Sequence, residues 1–78
     1  MKSHQKLHFH FDTTLDLPKR IALVLAAYDE LGYINRKSLM TIYGITELQA
    51  GALMRDFIHA HARNIEWNKE NSHYKMTN

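Results

Sequence analysis

A chain of 78 residues, with 10 Lys and Arg against 8 Asp and Glu and no cysteine, has room for one small domain. It has no disulfide or thiolate metal site to brace that domain. A hydrophobic fraction of 45% excludes wholesale disorder, the longest apolar stretch, Ile21 to Ala27, is too short to cross a bilayer, and the N-terminal residues lack the apolar core of a signal peptide. The formal charge of +2 is compatible with a polyanionic partner without requiring one, and together these features read as a cytoplasmic protein that uses oligomerisation to brace a small core.

Residues 1–14 predict an N-terminal strand or arm. Leu7-His8-Phe9-His10-Phe11 alternates strictly, with Leu7, Phe9 and Phe11 on one face and His8 and His10 on the other. Asp16-Leu17-Pro18 then reads as a helix start, because Asp16 can cap the first free N–H groups and proline is tolerated in the first turn. The helix runs from Leu17 to Leu31, its apolar face formed by Leu17, Ile21, Val24, Leu25, Tyr28 and Leu31. Gly32 stops it, and Tyr33-Ile34 reads as a stub of strand.

Asn35 is the expected N-cap of a second helix, Arg36 to Tyr43, with Leu39 and Tyr43 facing inward and Gly44 at its end. Thr46 opens a third helix with Gln49 three residues later, a capping-box spacing. This helix is expected to reach about Ala62, its inward face made of Ala50, Leu53 or Met54, Phe57 and His61. Ile65 and Trp67 alternate with polar neighbours, Asn68 to Ser72 is a polar turn, and His73 to Met76 alternates again. That pattern is a hairpin, with Trp67 and Tyr74 expected in the core at its root.

The fold class that follows is mainly α with a small β-hairpin: one domain over residues 1–78, three helices over 17–62, a hairpin over 64–76 and an extra N-terminal strand. Two helices over 35–58, joined by a short turn through Gly44, form a helix-turn-helix, because the sharp reversal favours a left-handed residue that glycine adopts without strain. Ala50, small and early in the third helix, lets the two helices approach. The terminal hairpin makes the whole a winged helix-turn-helix.

The run Gly32-Tyr33-Ile34-Asn35-Arg36-Lys37-Ser38-Leu39-Met40, then Tyr43-Gly44-Ile45-Thr46, then Gln49-Ala50 resembles the N-terminal winged-helix domain of WYL-domain transcription regulators. The hairpin from Asn64 to Lys69, followed by Tyr74, resembles that family's wing. The resemblance spans residues 17–76 and is best from Asn35 to Ala50. It implies a sequence-specific binder of double-stranded DNA, acting as a transcriptional repressor. The recognition helix would start at Thr46 and expose Glu47, Leu48, Gln49, Gly51, Ala52 and Arg55 to the major groove. Arg36, Lys37 and Ser38 would meet phosphates, and Lys69 would be the wing tip. Glutamine can read adenine and arginine guanine bidentately, and helix N-termini and basic side chains bind phosphate. Exchange of Gln49 and Arg55 for alanine is then expected to abolish specific binding and leave stability nearly unchanged. The family's ligand-sensing and dimerising region has no counterpart in this sequence, so no sensing role carries over.

A second class of function competes with the first. Leu48, Gly51, Ala52 and Leu53 make the outer side of the third helix apolar, a surface that suits thymine methyl groups or burial against another protein. The alternative is therefore a winged-helix protein-docking module that does not bind DNA. Duplex operators are commonly read by dimers, and the Leu7, Phe9 and Phe11 face is the expected homodimer surface. His8 and His10 share a strand face and, with His4 and His73, raise a metal site. His59 and His61 do not share a helix face, and no acidic ligand has matching spacing, so a surface or structural role is the reading adopted for the histidines. No cofactor motif, small-molecule site or catalytic constellation is evident, and the chain does not read as an enzyme.

Overall fold

The structure, a computed structural model, describes residues 16–77. The expected N-terminal strand, with Leu7, Phe9 and Phe11 and with His4, His8 and His10, lies outside the described residues.

Three helices are followed by a hairpin: α1 over Leu17–Leu31, α2 over Arg36–Tyr43, α3 over Glu47–Ala60, a single 3-10 turn over Ala62–Asn64, then β1 over Ile65–Asn68 and β2 over His73–Met76. This mainly helical order with a two-stranded antiparallel hairpin is compatible with a winged helix. Each helix begins where a side chain satisfies its first amides. The Asp16 carboxylate accepts from the Lys19 N–H at 3.0 Å. At α2 the Asn35 side chain accepts from the Ser38 N–H at 2.7 Å, and the Ser38 hydroxyl oxygen accepts from the Asn35 N–H at 3.0 Å. At α3 the Thr46 hydroxyl oxygen accepts from the Gln49 N–H at 3.1 Å, and Gln49 Oε1 accepts from the Thr46 N–H at 3.0 Å. Both reciprocal pairs are capping boxes. The stops are equally local. Gly32 and Gly44 take left-handed backbone with φ of 80° and 67°, which a β-carbon would strain.

α3 lies across both other helices. Phe57, Leu53 and Ala50 from α3 meet Val24 and Ala27 of α1, Leu39, Ile42 and Tyr43 of α2, and Ile34 and Ile45 of the connections, all buried. An ion pair between Arg20 and Asp56, 2.9 Å, fastens α1 to α3 at the edge of this core. The Tyr43 hydroxyl donates to the Leu23 carbonyl, so the end of α2 is tied to the middle of α1.

The hairpin pairs Ile65 with Met76 and Trp67 with Tyr74. Its loop is drawn in by a hydrogen bond from the Asn71 N–H to Asn68 Oδ1 at 2.9 Å, with Ser72 in the left-handed region at φ 55°. β2 is flanked on both sides. Opposite β1, Ile34 exchanges both backbone hydrogen bonds with Tyr74, at 3.0 and 2.8 Å. The next free amide on that side, Met76 N–H, donates to the Tyr28 hydroxyl at 3.0 Å. The Tyr33-Ile34 stub is thus one bridging residue, and a tyrosine of α1 takes the place of the strand beyond it.

Four sequence expectations change. α3 ends at Ala60, not near Ala62, and the chain passes through a 3-10 turn before β1. His61 is the C-cap of α3, half-buried and tilted against the Phe57 ring at the end of the inward face. Leu17 is 47% exposed, because it stands in the first turn of α1, beyond the reach of α3. Trp67 is 48% exposed: it shares a sheet face with the half-buried Ile65, but lies farther along the strand, where the helices no longer cover it. Leu53, expected on the apolar outer side of the third helix as well as a candidate for its inward face, is fully buried, because it faces α1 and α2 with Ala50 and Phe57; Met54 is buried too.

Candidate functional site

Five of the residues singled out by sequence lie on one side of α3. Glu47, Leu48, Gly51, Ala52 and Arg55 recur at helical spacing and form its outward face, with exposed His59 one turn further on. Two shallow depressions run along that face, one bordered by Glu47, Leu48, Ala52 and Arg55, the other by Arg55, Ile58 and His59; Arg36 and Gly51 border both. Leu48 is 84% exposed, the most exposed large apolar side chain among the described residues.

Arg36, the first residue of α2, crosses the turn and lies on α3. Its Nη1 donates to Glu47 Oε2 at 3.2 Å, and its Nε would be 3.6 Å from a β-carbon on Gly51. The guanidinium thus passes over Gly51 at a distance that would admit a methyl group beneath it. Both partners of the pair are more than half exposed, so it adds at most about 1 kcal/mol to stability. Its effect on the surface is larger. The carboxylate neutralises one of the cations that border α3, leaving Lys37 and Arg55, both exposed, without a carboxylate partner among the described residues.

Two of the expected contact residues have structural duties. Ser38 is half-buried in the α2 cap, where its hydroxyl also donates to the Asn35 carbonyl at 2.8 Å. Gln49 uses its Oε1 to hold the Thr46 N–H, which leaves only the amide nitrogen of its carboxamide to donate. The capping-box spacing already carried this conflict, since one carboxamide cannot serve both the Thr46 backbone and a bidentate contact to adenine.

The hairpin completes the rim. Asn35 Nδ2 donates to the Ser72 carbonyl at 3.0 Å, so the cap residue of α2 also grips the hairpin loop. Between them opens a groove of about 660 Å³. Met40, Met54, Ile58, Trp67 and Tyr74 give it an apolar lining, and Asn35, Arg36, Lys37, Glu47 and Ser72 give it a polar one. Trp67 meets Tyr74 edge-on, with ring centroids 4.8 Å apart. The grip of Asn35 and this groove were not foreseen from sequence; Trp67 was placed in the core, and only its position beside a polar turn hinted otherwise. Lys69 stands exposed in the loop, beside Glu66, Glu70 and Lys75, so the hairpin carries both signs of charge.

The described histidines do not converge. His73 stacks on Tyr33 with centroids 4.6 Å apart, His61 leans on Phe57, and His59 is exposed. Among the described residues no group of three or more His, Asp or Glu could hold a metal ion, and no helix is long and apolar enough to cross a membrane. No protein-family model matches the chain, and no curated protein or solved structure is significantly similar to it.

Proposed function

We propose that this chain is a winged helix-turn-helix protein that binds double-stranded DNA sequence-specifically and regulates transcription as a repressor. α2 and α3 form the helix-turn-helix, α3 is the recognition helix, and the β1–β2 hairpin is the wing. The observation that carries the reading is the arrangement around the outward face of α3. That face is flanked on one side by the N-terminus of α2 with Arg36 and Lys37, and the wing loop is held to the same N-terminus by the Asn35–Ser72 hydrogen bond. Helix N-termini and basic side chains are phosphate ligands, and a helix presented beside such a support has the shape that enters a major groove.

Each role follows from position. Lys37 and Arg55 supply cations for phosphate or guanine, Lys69 reaches past the wing tip, and Ser38 and Gln49 act by holding the two helix starts in register. A second copy of the chain would read the second half-site, and Leu7, Phe9 and Phe11 remain the proposed surface for that pairing. Repression needs only occupancy of the operator.

A second reading is favoured by Leu48, since an exposed leucine also suits a protein partner. One titration separates the two. The full chain is mixed with fluorescent random-sequence duplex at 50 and 200 mM salt. Binding that weakens steeply with salt supports phosphate contacts, whereas no binding at 50 mM salt rejects the DNA reading and leaves protein docking.

A further inference from the structure

The outward face of α3 is poor in hydrogen-bonding readers. Glu47 is occupied by Arg36, Gln49 has its carboxamide oxygen on the Thr46 N–H, Gly51 has no side chain and Ala52 offers a methyl. Leu48 is 84% exposed and stands one turn before Ala52. Its isobutyl group gains nothing from folding.

We infer that this face recognises thymine by its C5 methyl group, with Leu48 as the principal contact, Ala52 beside it and Arg55 reading a flanking guanine. The inference rests on the duplex-binding reading above and names the class of site it takes: duplexes with thymine under the first two turns of α3. Three features carry it. The N-terminal residues of a recognition helix are those that reach base edges, and Leu48 is the second residue of α3. Thymine presents an apolar group in the major groove, the C5 methyl, which apolar side chains contact. Ala52, one turn on, adds only a methyl beside Leu48, so no bulkier side chain at that position holds the leucine away from the bases. Charge decides against a neutral protein surface as occupant, since Arg55 borders the same face with no carboxylate partner among the described residues.

The test begins with selection of the full chain on a random-sequence duplex library. The best selected duplex is then remade with deoxyuridine for each thymidine in turn, which deletes one methyl and keeps every hydrogen-bonding group. The expected result is a loss of roughly fourfold in affinity at each contacted thymidine, the equivalent of one buried methyl. Leu48→Ala should weaken binding to the thymidine duplex and bind the deoxyuridine duplex about as well as the unaltered chain does. Its thermal melting should match that of the unaltered chain, because Leu48 is not part of the core. Selected duplexes that bind equally with deoxyuridine overturn the inference and leave duplex binding standing. Salt-sensitive binding with no enriched sequence does the same. Absence of any duplex binding removes both, and capture of a protein partner through Leu48 would then take their place.

Discussion

Asn35 holds Ser72 across 37 residues of sequence: its Nδ2 donates to the Ser72 carbonyl while its Oδ1 accepts from the Ser38 N–H. One carboxamide thus starts α2 and positions the hairpin loop. The two duties can be separated. Asn35→Asp keeps the acceptor for the cap and loses the donor to Ser72, whereas Asn35→Ala loses both. The alanine variant should be destabilised by about 1 kcal/mol from the cap alone, measured by urea unfolding. The aspartate variant should stay within a few tenths of the parent and show faster amide exchange and shifted resonances in residues 69–72. Unchanged loop exchange in that variant would refute the positioning role.

Gln49 and Arg55 were expected from sequence to act as a pair of base readers, and the geometry separates them. Gln49→Ala removes half of a capping box and should lower stability by about 0.5–1 kcal/mol, seen as a lower melting temperature. Arg55→Ala should leave melting unchanged and weaken duplex binding with a shallower salt dependence. Equal melting temperatures for both variants would show that the cap contributes nothing.

The pair between Arg36 and Glu47 sets two charges against one another at the start of α3. Glu47→Gln should change stability by less than about 1 kcal/mol and tighten non-specific duplex binding, because Arg36 is then available to a phosphate. The slope of log affinity against log salt should steepen by about one contact. Arg36→Ala in the same background should reverse the gain. A Glu47→Gln variant with unaltered affinity and slope would place Arg36 away from DNA.

Gly51 sits in the middle of α3 with ordinary helical backbone, and a β-carbon there would meet Arg36 Nε at 3.6 Å, an ordinary contact distance. Gly51→Ala should therefore stabilise the fold by about 0.5–1 kcal/mol through helix propensity. Gly51→Leu should retain the fold and lose duplex binding, since its side chain would displace Arg36 and hold the helix away from base edges. Circular dichroism melts paired with duplex titrations check both variants.

Burial raises the pKa of the Tyr43 phenol above its ordinary value of 10.0. The folded state therefore holds its proton more tightly than the unfolded chain does. The contribution of Tyr43 to stability is fully present below pH 10.0 and is lost as pH rises from there through the higher folded value. Tyr43→Phe should flatten that alkaline loss in urea-unfolding titrations, while lowering stability near neutrality because the hydrogen bond to the Leu23 carbonyl is gone.

What the sequence made legible was local. Asp16, Asn35 and Thr46 are caps, Gly32 and Gly44 are stops, and the Asn68–Ser72 turn lies between two alternating runs; each is decided by residues within a few positions, and each stands in the structure. The outcomes that depend on how helices cross were not legible in the same way. Ala27 is fully buried under α3 although it lay off the expected face, while Leu17, on that face, extends past the core. The candidate site divides along the same line. The outward face of α3 follows from helical periodicity, and Leu48 on it could be singled out. The Arg36–Glu47 pair crosses a turn, and the Asn35–Ser72 bond joins elements that only packing brings together. The capping role of Gln49 was visible in its spacing, but its consequence for base reading needed the direction in which the carboxamide oxygen points.

The hairpin is clamped at both ends. Tyr28 of α1 takes the Met76 N–H at the base and Asn35 takes the Ser72 carbonyl near the tip, so the offset between α3 and the loop is set by the helices before any duplex arrives. In the proposed complex these two elements act as a fixed caliper. They leave little loop adjustment to absorb variation in groove width, and the duplex must supply the matching width itself. Stiffness and local shape of the DNA between the two contact points would then contribute to site preference even at base pairs that no side chain touches.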